Sequence, residues 1–300
     1  MQRRTVLSTL VSTGTVGVAL PTSKVVWAQA FVAAALQPQK FDAVTRQLRF
    51  ALTLSNPQSN ALYNQTLWMY MPVKRSSVQD MLTVDTKASH ELHTDALGHS
   101  LLKIQLAELA PLAQRIVSVT VRISLHSPSR PIDLGDAKDW LQTEAHTEVS
   151  DSRMQAQALQ LKGISPFQTA RNIYDWVASN IAYAGYIADD LGALYALTER
   201  KGDCTEYAFL AVALARANQI PARMVGGYVT DRDTTPRADE YHNWAELYLD
   251  GVWQIVDAQK KNWLMPCEQY IAFRYYRGVA INPAGSAHRY KIDGEMQVRI

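Results

Sequence analysis

Between Thr45 and Leu125, apolar residues recur at every second position or gather in β-branched runs, as in 46–54, 65–71 and 116–125. A period of two predicts strands with one buried face. Ser55-Asn56-Pro57, Pro72 and the stretch 95–98 supply the turns between them. Several short strands at this spacing predict a small β-sandwich within 31–126. Residues 127–150, with Pro128, Pro131 and Gly135, read as a polar connector. From residue 151 the period lengthens to that of a helix. One short helix is expected over 151–161, ending before Gly163. A second opens with Ser165 as N-cap, Pro166 as first helical residue and Gln168 as capping partner. Its core face would carry Phe167, Ala170, Tyr174, Val177 and Ile181. A third short helix is expected around 192–198.

The run 205–217 is apolar almost all round and has no interior Gly or Pro, so it predicts a buried helix. Asp203 is a good N-cap, Asn218 a candidate left-handed C-cap, and Pro221 forbids continuation. Further on, two strand-like runs flank Asp250-Gly251, a two-residue hairpin signal. That turn sets Leu249 opposite Val252. The same register carries Asp257 opposite Trp244 and His242 opposite Gln259. His242 and Asp257 then emerge on one face as diagonal neighbours, with Cβ atoms about 7–8 Å apart or less. A one-residue slip would separate them onto opposite faces. The expected fold class is therefore α+β, with a helical and sheet region over 151–300 following the sandwich.

Composition changes this picture little. The chain has 300 residues, 47% hydrophobic and 19% charged, with a net charge of +2. Disorder, collagen and coiled coil are excluded. Two cysteines, Cys204 and Cys267, exclude a disulfide scaffold and any four-cysteine metal site. The charge balance gives no case for a nucleic-acid partner. The leader does alter the arithmetic. Residues 1–30 combine Arg3 and Arg4, a weakly apolar stretch and the ending Ala28-Gln29-Ala30, the three-part pattern of a signal peptide. The paired arginines resemble a twin-arginine signal. Without Arg3, Arg4 and Lys24 the chain carries 27 basic and 28 acidic residues. No later stretch reaches the roughly 20 apolar residues of a membrane span. The expectation is an exported protein of the periplasm or cell envelope.

The chemistry concentrates in Gly202-Asp203-Cys204-Thr205-Glu206. Cys204 would occupy the first turn of the buried helix, where unpaired N–H groups and the helix dipole favour a thiolate. A nucleophilic thiol needs a base and the base an orienter. His242 and Asp257 supply both types, with the His242 Nε2 expected toward the thiol and Nδ1 toward Asp257. The Cys204 N–H is a candidate oxyanion donor. A second donor is not located by the sequence, and Tyr183 and Tyr186 are upstream candidates.

The residues Gly202-Asp203-Cys204-Thr205-Glu206-Tyr207-Ala208, Ile220-Pro221-Ala222-Arg223, His242-Asn243-Trp244-Ala245-Glu246, Trp253 and Asp257 resemble the bacterial transglutaminase-like superfamily. The resemblance implies a papain-like α+β core with Cys204, His242 and Asp257 as catalytic triad, often behind a β-sandwich in exported members. It implies no calcium dependence. It leaves open cleavage of peptide or protein amides, or their transfer to an amine, through a thioester. A non-catalytic binding module on the same fold is the rival reading. A metal hydrolase lacks clustered ligands, and no cofactor is implied. His90, His93 and His99 read as solvated loop residues, Glu206 and Arg223 as structural, and Cys267 as a buried free thiol in preference to a partner for Cys204.

Overall fold

The computed structural model describes residues 42–279 and 281–300; the expected leader lies outside them. Six strands come first: β1 (Asp42–Ser55), β2 (Leu62–Met71), β3 (Gln79–Thr86), β4 (His90–Thr94), β5 (Ser100–Leu109) and β6 (Gln114–Ser127). Helices α1 (Ser152–Leu161), α2 (Pro166–Asn180), α3 (Gly192–Glu199) and α4 (Cys204–Ala217) follow. Two short strands, β7 (Ala182–Tyr183) and β8 (Lys201–Gly202), pair in parallel just before α4. Then come β9 (Ala222–Val229), β10 (His242–Leu249), β11 (Val252–Asp257), β12 (Asn262–Trp263), β13 (Tyr270–Tyr275), β14 (Tyr290–Asp293) and β15 (Gln297–Arg299).

The period-two pattern does form a sandwich. Its sheets run β15-β1-β6-β3 and β14-β2-β5-β4. Alternation on β1 turns Leu48, Phe50, Leu52 and Leu54 inward against Val117, Val119, Val121 and Ile123 of β6, with Leu67, Met69, Leu102 and Ile104 from the other sheet. Each sheet takes an edge strand from the C-terminal tail. Four-residue β14 and three-residue β15 are too short to announce themselves by periodicity.

The five-stranded sheet, β12-β11-β10-β9-β13, is antiparallel. On one face Ala222, Met224, Ala245, Leu247 and Val256 pack under α4. On the other, Val225, Trp244, Ile255 and Tyr270 form a separate cluster. Beyond the part that α4 covers, Tyr228, Ile271 and Phe273 enter the sandwich core. Phe50 meets Tyr228 and Phe273 at ring-centroid distances of 6.2 Å each. A sheet covered on both faces has buried residues at almost every position, which is why β9 and β10 carry little alternation.

Helix ends follow the expected chemistry in most places. Asp151 and Ser165 cap α1 and α2, and Pro166 opens α2. Two details differ. Phe167 is 44% exposed and lies edge-on to Trp263 at 5.6 Å, because the first turn of α2 extends beyond the layer its later turns cover. Asn218 sits at φ −91°, and the left-handed residue is Gln219 at φ 62°. The histidines differ too. His90 and His93 lie exposed on strand β4, and His99 is buried. His99 Nε2 accepts the Tyr275 N–H at 2.8 Å, so its Nδ1 donates to Asp95 at 2.7 Å.

Arg223 and Glu246 face each other across β9 and β10. Arg223 Nη2 and Nε lie 2.6 and 2.8 Å from Glu246 Oε2. The guanidinium is sandwiched by Tyr275 at 3.7 Å and Trp253 at 4.1 Å. Replacing Glu246 by Ala leaves that cation buried and unpaired. Urea denaturation should show a loss of about 3–5 kcal/mol, against a much smaller loss for a surface pair such as Arg171–Asp175.

Candidate active site

α4 begins where it does because its first turn is closed on itself. The Asp203 carboxylate accepts the Thr205 N–H at 2.7 Å, and Glu206 Oε2 accepts the Asp203 N–H at 3.0 Å, a complete capping box. Glu206 is fully buried and its other oxygen accepts the Leu191 N–H at 3.0 Å. Gly202 is required here, since a Cβ at that position would lie 2.4 Å from the Glu206 Cβ. The close approach is thus by Glu206, and the structural role expected of that residue is its actual one. The helix delivers Cys204, half-buried, to a cleft shared with His242 at the start of β10.

Hairpin β10–β11 turns at Asp250 and Gly251, both at positive φ as a type I′ turn demands. Its register runs from Leu249↔Val252 to Ala245↔Val256, the one the turn predicts. His242 and Asp257 therefore share a face. His242 Nε2 and Asp257 Oδ2 are 2.6 Å apart, both side chains buried. The bond uses Nε2, the reverse of the expected assignment, and Nδ1 is the nitrogen that Asp257 does not engage. The ring lies nearly parallel to Trp244, at a centroid distance of 6.3 Å. Asp257 is held from two further directions. Tyr270 Oη donates to Oδ2 at 2.9 Å and the Lys260 N–H to Oδ1 at 3.0 Å. Asn262 Nδ2 donates to Tyr270 Oη at 2.7 Å. Burial, with Asp257 beside it, pushes the Tyr270 phenol far above its usual range, so it remains a hydrogen-bond donor. No sequence signal marks Tyr270 or Asn262, because both lie past the hairpin and reach back through tertiary structure.

Cys204 stands between two clefts. One, of about 490 Å³, is lined by Cys204, His242, Tyr183, Tyr241 and Lys260 among others. The other, of about 460 Å³, is lined by Cys204, Asn243, Tyr186, Tyr241 and Arg289 among others. Tyr183 and Tyr186 thus lie on different sides of the thiol, both exposed. β7 ties the Tyr183 segment to the start of α4, with the Ala184 N–H donating to Gly202 O at 2.9 Å. Cys267 is buried elsewhere, against His126 O, and both thiols are free. Among the described residues no group of three or more His, Cys, Asp or Glu could hold a metal ion.

The thiol's electrostatics depart from expectation. Burial, then the neighbouring Asp203 carboxylate and the more distant Asp257, push Cys204 up to about 11. The Asn243 N–H and the Thr205 hydroxyl pull the other way without prevailing. The residue that caps the helix also opposes the thiolate. In the free protein the sulfur keeps its proton until a base removes it. Asp203→Asn keeps an oxygen for the Thr205 N–H and removes the charge. Since that charge raises the thiol, its loss enlarges the thiolate fraction at every pH below the thiol's midpoint. Alkylation of Cys204 at pH 8 should accelerate roughly threefold to tenfold, followed by intact mass.

Residues 153–258 match the family model described as the transglutaminase-like superfamily. No curated protein matches the sequence. Among solved structures, a protein from Cytophaga hutchinsonii provisionally named a cysteine protease is 19% identical, with 87% of this chain and 90% of that one covered at a TM-score of 0.60. The periplasmic domain of TgpA from Pseudomonas aeruginosa, bound to ethylmercury, is 18% identical over 69% of this chain and 88% of that one, at a TM-score of 0.38. The α+β fold with Cys204 at the head of its central helix and His242 and Asp257 on the facing hairpin, together with the family match, establishes a transglutaminase-like domain across residues 153–258.

Proposed function

We propose that the protein is a thiol-dependent acyl-transfer enzyme acting on amide bonds of peptides or proteins. The observation that carries this reading is the buried His242–Asp257 pair sharing a cleft with a cysteine at a helix N-terminus. Binding alone gives no reason to bury an imidazole and a carboxylate 2.6 Å apart beside a thiol.

In this reading His242 Nδ1 takes the Cys204 proton as sulfur attacks the amide carbonyl carbon. A C–S bond forms and the electron pair moves to oxygen, which the Cys204 N–H is placed to stabilise. When the tetrahedral species collapses, the C–N bond breaks and His242 returns its proton to the leaving nitrogen. The amine departs and a thioester to Cys204 remains. Water, deprotonated by His242, attacks the thioester, and sulfur recovers the proton as the acid leaves. An amine in place of water would give a new amide. The open, polar cleft on the His242 side favours water, which is always in excess. Asp257 keeps the ring oriented and stabilises the imidazolium. The high thiol favours base-assisted attack over a standing thiolate–imidazolium pair. The leader pattern favours export to the periplasm or envelope, where such a substrate would be met. No helix of the described residues is long and apolar enough to cross a membrane.

The test is turnover of a mixed peptide pool, with and without putrescine, read by mass spectrometry. Cleaved fragments mark hydrolysis, and putrescine adducts mark transfer. Cys204→Ala and His242→Ala should abolish either product. Asp257→Asn should lower kcat/KM by about 10²–10⁴-fold while the fold persists. Peptides retained equally by wild type and Cys204→Ala, with no product from either, would replace the enzyme with a binding module.

A further inference from the structure

The loop between β9 and β10, residues 230–241, walls the thiol on both sides. It supplies half of the described residues that line the cleft on the His242 side, Thr230, Thr234 and Glu240 among them. It also gives Ala238, Asp239 and Tyr241 to the other cleft. The loop leads directly into His242. Its side chains are mostly exposed, and Pro236 is the buried one. Apolar packing therefore does little to hold it, and its position depends on hydrogen bonds. Its two ends are secured locally. The Thr230 N–H donates to Gln269 O at 2.9 Å. Arg237 and Glu240 close a turn on each other, the Arg237 N–H donating to Glu240 Oε2 at 2.9 Å and the Glu240 N–H to Arg237 O at 3.2 Å. The middle, residues 233–236, makes three hydrogen bonds among the described residues, and all three go to strand β1 of the sandwich.

These bonds form one short parallel pairing. The Arg49 N–H donates to Thr234 O at 3.0 Å and the Thr234 N–H to Gln47 O at 3.1 Å, so Leu48 and Thr234 are partners. A continued parallel ladder would set the Gln47 N–H on Arg232 O. That carbonyl is turned aside and accepts the Thr230 hydroxyl at 2.9 Å. The Asp233 carboxylate takes its place, accepting the Gln47 N–H at 2.9 Å. A side chain thus closes the ladder at the point where the backbone leaves β1 for the cleft, and a charged acceptor makes the stronger bond. β15 pairs with β1 at 53–55, which leaves the outer side at 47–49 to the loop. The other cleft is tied to the second sheet of the sandwich. The Tyr70 N–H of β2 donates to Arg289 O at 2.9 Å, and Tyr241 Oη donates to His288 O at 3.1 Å. His288 and Arg289 both line that cleft.

We propose that the sandwich is a specificity-determining part of the enzyme, with Asp233 as a positioning residue: its carboxylate and the Leu48–Thr234 pairing hold the loop that walls both clefts, and so set the size of what reaches Cys204. The meaning for substrate choice rests on Cys204 being the nucleophile, but the hold on the loop does not. Asp233 itself lines neither cleft, so its replacement leaves the immediate surroundings of the thiol as they are.

Asp233→Ala removes the acceptor, and Asp233→Asn keeps an oxygen for the Gln47 N–H. Amide hydrogen exchange at Arg49, read by NMR, reports the pairing. Loss of the charged acceptor should speed that exchange about tenfold. Access to the thiol is read as the ratio of Cys204 alkylation rates with fluorescein-5-maleimide and N-ethylmaleimide, which share one chemistry and differ in size, with Cys204→Ser as blank. In Asp233→Ala the ratio should rise about threefold to tenfold while the N-ethylmaleimide rate holds, and Asp233→Asn should return it toward wild type. Thr234→Pro, which removes the N–H given to Gln47, should act in the same direction. A ratio unchanged or lowered while exchange at Arg49 quickens would overturn the proposal. Equal changes with both reagents would overturn it as well, because they mark an effect on the thiol itself. So would exchange unchanged in both Asp233→Ala and Thr234→Pro, since the loop would then be held without β1. With a peptide that is turned over, Asp233→Ala should raise KM about fivefold and leave kcat within about twofold, and a fall in kcat at constant KM would count against the proposal. Alkylation needs no turnover, so failure here is distinct from failure to find a substrate.

Discussion

The closed first turn of α4 is the constraint on which the site depends. Glu206 has no exposure, and burying a carboxylate is tolerated only when strong donors surround it. Those donors are two backbone N–H groups, from Asp203 and Leu191, so one side chain ties the helix start to the loop before α3. Burial holds the Glu206 carboxyl above its ordinary range even so. What the arrangement secures is position. It fixes where the peptide plane of Cys204 points, in a helix otherwise surrounded by Leu, Val and Ala side chains with no directional preference.

The sheet beneath solves a related problem. His242 and Asp257 lie on the face away from α4, where the same face carries the Arg223–Glu246 pair. Two buried ion-pairing sets on one sheet face would be costly if either were incomplete. Each is closed by aromatic and hydrogen-bonding neighbours: Tyr275 and Trp253 around Arg223, Tyr270 and Trp244 around His242 and Asp257. Trp244 covers its pair with a ring face, while Tyr270 adds a second donor to the Asp257 oxygen that His242 meets.

Much of this was legible in the sequence where the cause is local. Caps at Ser165 and Asp203, the stop near Pro221 and the Asp-Gly hairpin are short-range chemistry, and the hairpin alone sets the His242–Asp257 register. What escaped has tertiary causes. Nothing near residue 99 tells that its ring will meet the Tyr275 amide. Nothing in Tyr270 or Tyr276 announces a partner at 257 or 243. The thiol was misjudged because helix position is visible in sequence, whereas burial and the orientation of Asp203 are not. The ring nitrogen facing Asp257 likewise follows from side-chain packing and not from strand register.

The tail strands bear on how the chain must be made. β15 pairs with β1, joining Arg299 to Thr53, and β14 closes the opposite sheet beside β2. During synthesis the outer sides of β1 and β2 would therefore stay unpaired until residues 290–299 emerge, and such edges invite pairing with other chains. Long-range closure of this kind is slow compared with local pairing. The sandwich, although its main strands emerge first, is complete only once the two tail strands have joined it.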